Sequence, residues 1–222
     1  MRFVAPGEKD AYYEIRVHET GRVETRPDNL HDWFNALAWL AFPRTKARIN
    51  ALHAAEIPRE GGRRGRLRDL LTIFDEGGAI VRSDDAALLS LLETFQWKAL
   101  FWENRAAVRE RMKFVVLGHA TLEQALEPRP GITCKAILIP ARADADAAAY
   151  AWLGALQPGA SPRDLAPLPV LGYPGWLEQS AGFYEDARYF RPQPVKSHPE
   201  SARQPLRANA EESPGSVERD AG

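Results

Sequence analysis

The chain has little of what secreted, membrane-spanning or nucleic-acid-binding proteins usually carry. It contains one cysteine among 222 residues, so it can form neither an internal disulfide nor a cysteine zinc site. This scarcity indicates a reducing, cytoplasmic location. No apolar run approaches the roughly 20 residues that span a bilayer, and the N-terminus lacks the apolar segment of a signal peptide. The formal net charge of −1 provides no overall field that would attract nucleic acid or a membrane.

Several familiar catalytic signatures are also absent. The chain has no phosphate-binding glycine loop, no GxGxxG, no GxSxG and no HExxH. Residues 59–68 are rich in arginine but lack an aromatic side chain for stacking on bases, which favours a solvated connector. Cys134 lies on a predicted buried strand, where we expect a small apolar side chain rather than a reactive thiolate. We expect no membrane, nucleic-acid or disulfide-linked partner.

The strongest periodicity lies in residues 29–57 and predicts two consecutive helices. In the first helix, six apolar residues at helical spacing form one stripe: Leu30, Trp33, Phe34, Leu37, Leu40 and Ala41. Asp28 or Asn29 can cap this helix, because a short side-chain oxygen accepts from the free N–H groups of the first turn. Pro43 ends or kinks it, and the second helix runs on to Pro58.

The opposite face of the first helix carries polar groups. His31, Asn35 and Trp39 are four residues apart and therefore share one side, with Asp32 beside them. A histidine, a carboxylate and an amide in this arrangement can support acid–base or metal chemistry. The alternative is structural: Asp32 is a favourable first-turn charge, and His31 and Asn35 satisfy neighbouring backbone groups.

The remaining pattern predicts an α+β fold, predominantly helical, with a small β-sheet and a β-hairpin near the N-terminus. Residues 12–18 and 22–25 predict the hairpin, with its turn at Gly21. Further helices are predicted around residues 67–74, 84–95, 97–112, 119–123 and 144–156, and strands over residues 79–82 and 131–140. Residues 114–117 fit either a buried strand or a continuation of the preceding helix, and Gly118 favours a break. Residues 161–176 contain four prolines and predict an extended arm. Residues 1–192 are expected to form one domain, followed by a disordered tail at 193–222.

Two further motifs carry groups capable of chemistry. Asp75 and Glu76 end a predicted helix before two glycines that suit a left-handed cap, although carboxylates there oppose the helix dipole. A broken local rule often marks a functional site, and the alternative is a turn with solvated acids. His119 and Glu123 are four residues apart on a predicted helix, where they can share a metal or pair a base with its orienting group. That spacing also arises often by chance.

These segments resemble the bacterial domain of unknown function 3025 family over residues 12–192. The resemblance is carried, in order, by ETGRVETRPDNLHDWFNALAWLAFPRTKARIN, LTIFDEGGAIV, FQWKALFW, GHATLEQAL, SPRDLAPLPVLGYPGW and FYEDARYFRP. It implies no particular activity. It also implies that other members carry more chain before the predicted hairpin, so an N-terminal element is expected to be missing or replaced here. The three motifs with chemical groups lie within the matching segments.

Two classes of function fit the sequence. The first is a metal-assisted or acid–base hydrolase in which the three motifs converge on one cleft. His31 and His119 would supply nitrogen ligands, and the oxygen ligands or general base would come from Asp32, Asp75, Glu76 and Glu123. The cofactor is left open, and a divalent metal is allowed. The second is a non-catalytic binding module that uses an aromatic surface around Trp39, Trp97 and Trp102.

Overall fold

The computed structural model describes residues 1–7, 12–61, 63–177 and 179–193. Met1–Pro192 form one compact unit. About 52% of the described residues are helical and 13% lie in strands, which confirms the predicted α+β class with a small sheet. The predicted disordered tail lies outside the described residues except for Gln193, and it stays a prediction. Within the described residues, no helix is both long enough and apolar enough to cross a membrane.

The elements follow the predicted order closely after the N-terminal region. The α-helices are α1 (Tyr13–Thr20), α2 (Leu30–Ala41), α3 (Pro43–Glu56), α4 (Arg66–Gly77), α5 (Ala86–Glu93), α6 (Arg105–Arg111), α7 (His119–Gln124) and α8 (Ala145–Gly154). The strands are β1 (Arg2–Val4), β2 (Arg22–Glu24), β3 (Gly78–Arg82), β4 (Lys113–Val116), β5 (Cys134–Ile139) and β6 (Ala166–Leu168). A π-helical turn (Ala99–Glu103) precedes α6.

The central sheet has the strand order β4-β3-β5-β6. Strands β3 and β5 pair in parallel, whereas β4 and β6 join them in antiparallel fashion. Pro167 lies in β6, at the edge of the sheet, where its missing N–H leaves no unsatisfied ladder position inside the sheet. The proline-rich arm therefore contributes an edge strand, and it does not enter the centre of the sheet.

Apolar side chains alternate between the two faces of the sheet, and each face has its own core. On one face, Ala79 and Val81 pack with α5, α6 and the aromatic residues near the C-terminus. On the other face, Ile80 and Ile137 pack with α3, α4 and α8. Both central strands are therefore buried on both sides, and the helices form a layer on each side of the sheet.

The predicted N-terminal hairpin is wrong. Residues 13–20 form α1, and β2 pairs in parallel with β1. Gly21, at φ 65°, caps the C-terminus of α1, and its N–H donates to the Val17 carbonyl at 2.9 Å. Val17 is buried against Val23 and Trp39. The helix wins because burial of Val17 against this cluster outweighs the β-propensity of the aromatic and branched residues around it.

Helix α2 has the predicted bounds but not the usual orientation. Asn29 caps it by accepting from the Asp32 N–H at 2.9 Å, and the helix ends just before Pro43. An apolar stripe normally faces the core. Here Leu30, Trp33, Leu37 and Leu40 are exposed, whereas Ala36, Ala38 and Trp39 are buried. The polar face of α2 is therefore the one turned toward the body of the protein.

The backbone is packed too closely for a side chain at Gly78, just after α4, and at Gly118, just before α7. Gly78 is not a left-handed cap as predicted; it continues directly into β3 at φ −79°. A Cβ atom on Gly78 would lie 2.0 Å from the Phe74 carbonyl oxygen. A Cβ atom on Gly118, just before α7, would lie 2.5 Å from the Glu76 carbonyl oxygen. This close approach sets the start of α7 directly against the end of α4.

Candidate active site

Three helix ends carry the residues predicted to act together. The first turn of α2 bears His31 and Asp32, the last turn of α4 bears Asp75 and Glu76, and α7 begins at His119. Helix α7 packs against both α2 and α4. A cleft with a volume of about 370 Å³ opens where these helix ends meet, and its lining includes all five of these residues. Side chains at helix ends can reach such a cleft without crossing the core.

His119 is buried and held by the backbone of α4. Its Nδ1 atom lies 2.9 Å from the carbonyl oxygen of Asp75. A carbonyl oxygen only accepts hydrogen bonds, so Nδ1 carries the proton and Nε2 presents a lone pair. Burial lowers the pKa of His119 to about 4, with the Asp75 charge opposing that effect. The imidazole is therefore neutral near pH 7.

His31 is oriented by a carboxylate on the neighbouring helix. Its Nδ1 atom lies 3.0 Å from Oε2 of Glu123, and both side chains are 39% exposed. An ionised carboxylate also only accepts, so Nδ1 of His31 donates and its Nε2 atom is left with a lone pair. The two residues predicted as an i, i+4 pair on α7 therefore have different partners. His119 lines the cleft, and Glu123 contacts Nδ1 of His31.

The two histidines point their remaining nitrogens at each other. Nε2 of His31 and Nε2 of His119 are 3.1 Å apart, and the ring planes lie at 71° to each other. When both imidazoles are neutral and both Nδ1 atoms donate, neither Nε2 atom carries a proton, and two lone pairs face one another. Two acceptors at this distance repel unless a cation lies between them. The pair therefore calls for a proton or a metal ion.

Asp75 forms an ion pair with a buried lysine. Nζ of Lys46 lies 2.5 Å from Oδ1 of Asp75 and 2.8 Å from Oδ1 of Asn35. The lysine also lies 5.5 Å from the centre of the Trp39 ring. Burial is the largest single influence and raises the pKa of Asp75, but the groups around it, Lys46 first, together outweigh burial, and the net pKa is lowered. Asp75 is thus an ionised group whose side chain faces Lys46, and its carbonyl oxygen holds His119.

Asp32 also forms an ion pair, with Arg26. Its carboxylate accepts two bonds from the Arg26 guanidinium, at 2.8 and 2.9 Å, and one from the Arg26 N–H at 2.8 Å. The hydrogen bonds from Arg26 lower the pKa of Asp32.

Glu76 differs from both aspartates. It lines the cleft and is exposed, and no described residue donates a hydrogen bond to it or forms an ion pair with it. Glu76 is therefore a free carboxylate of the cleft.

The described residues of the cleft do not form a metal site of three or more protein ligands. Among the residues that the structure describes, no group of three or more histidine, cysteine, aspartate or glutamate side chains is placed to hold a metal ion. Asp32 and Asp75 face arginine and lysine instead, and Glu123 faces Nδ1 of His31. The geometry brings the six predicted residues together around one cleft, and their catalytic and metal-binding roles stay predictions.

A family model described as a protein of unknown function (DUF3025) matches residues 1–194. The chain belongs to this family. The match begins at the first residue of the chain, whereas the resemblance seen in the sequence begins at residue 12. All three segments that form the cleft lie within the matched range. No curated protein and no solved structure matches the chain significantly.

The sequence missed part of the cleft of this DUF3025 protein. Its unpredicted lining includes Tyr13, Arg26, Lys46, Asn50, His53 and Arg64. A signal for some of these was present on α3, where Lys46, Ile49, Asn50 and His53 follow helical spacing and are all buried. Polar residues at positions that periodicity assigns to a buried face need partners, and here they find them in α1, α2 and α4.

Tyr13 is the least satisfied of these groups. Its phenolic oxygen is shielded from solvent and makes no hydrogen bond of good geometry with the described residues. Burial raises the pKa of Tyr13 to about 12, with the neighbouring Asn35 amide opposing the rise. The phenol is therefore protonated at neutral pH, at the inner wall of the cleft.

The aromatic surface proposed for a binding module is wrong as placed. Trp39 and Trp97 are each 5% exposed, and Trp102 is only partly exposed, beneath the Arg105 guanidinium. Trp97 donates its Nε1–H to the Arg191 carbonyl at 2.7 Å, which ties the C-terminal segment to the core. Trp97 and Trp102 belong to the core on one face of the sheet, and Trp39 packs in the cluster with Val17 and Val23, so these side chains stabilise the fold.

Proposed function

We propose that the cleft is the active site of a metal-assisted hydrolase, with a divalent cation bound between Nε2 of His31 and Nε2 of His119. The observation that carries this proposal is the 3.1 Å separation of the two Nε2 atoms while both Nδ1 atoms are already held by acceptors. Every other hydrogen-bonding site on the two rings is used. What remains is the two Nε2 atoms, whose lone pairs converge when both rings are neutral.

The separation is close to that of two ligands on one metal ion. With Zn–N bonds of about 2.0–2.1 Å and tetrahedral angles, two ligand nitrogens lie roughly 3.3–3.4 Å apart. A small outward movement of either ring would accommodate the ion. Metal-binding histidines usually donate their other N–H to a carboxylate or a backbone carbonyl. Glu123 does so for His31, and the Asp75 carbonyl does so for His119.

Two protein ligands leave several coordination positions for water and substrate. Catalytic zinc sites keep an open position for this reason, and a bound cation lowers the pKa of its water toward neutrality. A cation held by His31 and His119 would activate water as a nucleophile toward the carbon or phosphorus of the substrate. Glu76 would accept the proton of that water and return it to the leaving group as the bond to that group breaks.

The surrounding charges suit a small polar substrate. The cleft is lined mainly by charged and amide side chains, and most of its acids are already neutralised by arginine or lysine. Lys46 and Asn35 fix Asp75, which in turn holds His119 through its carbonyl oxygen. In this proposal these residues act as positioning groups, whereas the two histidines and Glu76, which line the cleft, would act on the substrate.

The test is hydrolysis by the purified protein after loading with Zn²⁺, Mn²⁺ or Mg²⁺. The substrates are p-nitrophenyl acetate, p-nitrophenyl phosphate, bis-p-nitrophenyl phosphate and a p-nitroanilide. We expect turnover of at least one of them, lost on chelation with EDTA and in His31→Ala and His119→Ala variants. Glu76→Gln should lower kcat by roughly 100-fold or more. The control is Glu110→Gln, because Glu110 is exposed and does not line the cleft.

An equal rate in wild type and in the His31→Ala, His119→Ala double variant would reject these residues as catalytic. Activity that survives chelation but is lost in Glu76→Gln would replace the metal by an acid–base mechanism in the same cleft. An unchanged rate in the double histidine variant would mean that the histidines of the cleft are not catalytic. A rate that survives chelation but needs Glu76 would keep the cleft as the active site without a metal.

A further inference from the structure

The exposed face of α2 consists of Leu30, Trp33, Leu37 and Leu40. Their exposed fractions are 55%, 57%, 37% and 67%, which are large values for apolar residues on an ordered helix. They occupy one stripe along the whole 12-residue helix, and Ala41 extends it. Single exposed apolar residues are ordinary, but a continuous apolar strip of this kind marks an interaction surface.

The strip carries no charged side chain. The charged and polar residues of α2 lie on the opposite side, where His31 and Asp32 line the cleft. The orientation of the helix is therefore set by the cleft, and the apolar stripe is left outside. A charged surface could form no ion pair with this strip. The partner of the strip must therefore present an apolar surface of similar length.

We propose that the exposed face of α2 binds the same face of a second copy of the chain, with the two helices antiparallel. The four residues are symmetric about position 35: Leu30 corresponds to Leu40, and Trp33 corresponds to Leu37. A two-fold axis at the middle of the helix therefore places each large side chain opposite an apolar partner. Such a self-complementary patch is what an isologous dimer requires.

The charges at the two ends of α2 support the antiparallel arrangement. Asp28, before the helix, and Arg44, after it, are both exposed, and no described residue forms an ion pair with either. Antiparallel packing about position 35 places the end of α2 that carries Asp28 in one copy beside residues 42–44 of the other, at both ends of the interface. Parallel packing would instead place like charges and like helix dipole ends together.

A membrane surface fits this face less well. Helices that lie on membranes carry lysine and arginine on the polar side, which attract anionic headgroups. Helix α2 has no lysine or arginine, and its polar side is occupied by the cleft. The second copy is therefore the occupant that the residues favour, and lipid binding becomes an outcome to be tested.

The first experiment measures the mass of the full chain in solution by sedimentation or light scattering from about 1 to 100 μM. We expect a dimer that Trp33→Lys and Leu37→Lys convert to monomer. The matched control is Tyr150→Lys, which adds the same charge at an exposed large residue of α8 and should leave the dimer intact. A wild-type monomer throughout this range, with or without binding to phosphatidylcholine–phosphatidylglycerol vesicles, would overturn the proposal.

The second experiment tests the antiparallel geometry. The only native cysteine, Cys134, is buried, so introduced cysteines report without background. Leu30→Cys and Leu40→Cys should each fail to cross-link alone, because residues ten apart are separated by about 15 Å along a helix. An equal mixture of the two variants should form a disulfide-linked dimer. Cross-linking of each variant alone, or of none, would contradict the antiparallel pairing.

Discussion

Nζ of Lys46 lies 2.5 Å from Oδ1 of Asp75, inside the protein and at the end of α4. A carboxylate in the last turn of a helix opposes the helix dipole, and the sequence contains no local compensation for it. The compensation comes from α3, where Lys46 is 3% exposed and has Asn35 as a second partner. The pair therefore holds α3, α2 and α4 in register beneath the two histidines.

Lys46→Met should destabilise the protein by about 3 kcal/mol. The change removes one partner of a largely buried ion pair, and such removal leaves an uncompensated charge. Asp75 is 22% exposed, so water offsets part of the loss. Urea unfolding followed by circular dichroism measures the change in the free energy of unfolding.

The Lys46→Met, Asp75→Leu double variant is the control for this pair. It removes both charges, so it should lose less stability than the two single variants combined. Strict additivity would mean that the contact contributes nothing to stability.

Gly118→Ala should disturb the site through the backbone. An added Cβ would lie 2.5 Å from the Glu76 carbonyl oxygen and 2.6 Å from the Gly78 nitrogen, so α7 must move. We expect a loss of roughly 1–3 kcal/mol and a His119 ring displaced from the Asp75 carbonyl. Gly182→Ala is the matched control, since its Cβ would meet only Ser180 Oγ at 3.8 Å. Equal melting temperatures for the two variants would refute the close approach.

Stability should fall between pH 7.5 and pH 5, partly because of His53. Burial lowers the pKa of His53 in the folded protein below its ordinary value of 6.5. The unfolded chain therefore binds more protons below pH 6.5, and folding stability is lost as the pH drops through that value, by up to about 1.4 kcal/mol per pH unit. His53→Gln should reduce this slope, whereas His18→Gln, at an exposed position, should not. A slope unchanged in His53→Gln would show that His53 is not linked to folding.

Cys134 should be inert in the folded protein. It is 2% exposed, and burial raises the pKa of its thiol to about 12. Ellman's reagent should therefore titrate no thiol at pH 8 under native conditions and one thiol per chain in 6 M guanidinium chloride. Rapid reaction of the native protein would mean that the β5 strand opens readily.

The sequence predicted helices and strands well where the local signals agreed with the packing. The bounds of α2 followed from Asn29 and Pro43, whose effects are local. The orientation of α2 did not follow, because apolar periodicity cannot distinguish a face that packs on the core from one that remains exposed. The N-terminal hairpin failed for a related reason: residues 13–20 have strand-like side chains, but Val17 gains more by packing in a helix against Trp39.

The candidate site was predictable in part. His31 and His119 could be found because each follows a helix start, where side chains are free to leave the core. Lys46 was missed, since a lysine on a helix is usually solvated and its partner Asp75 is 29 residues away. The approach of the two Nε2 atoms could not be predicted either, because it depends on which acceptor each Nδ1 atom contacts in the folded protein.

Zinc binding by the full chain tests the central claim most directly. The protein is stripped with EDTA, dialysed, and titrated with Zn²⁺ by calorimetry at pH 7.5. We predict one Zn²⁺ per chain, binding weakened at least tenfold by Glu123→Gln and abolished by the His31→Ala, His119→Ala double variant, with His18→Ala behaving as wild type. No zinc binding by the wild type, or the same stoichiometry and affinity in the double variant, would contradict a metal ion between the two histidines.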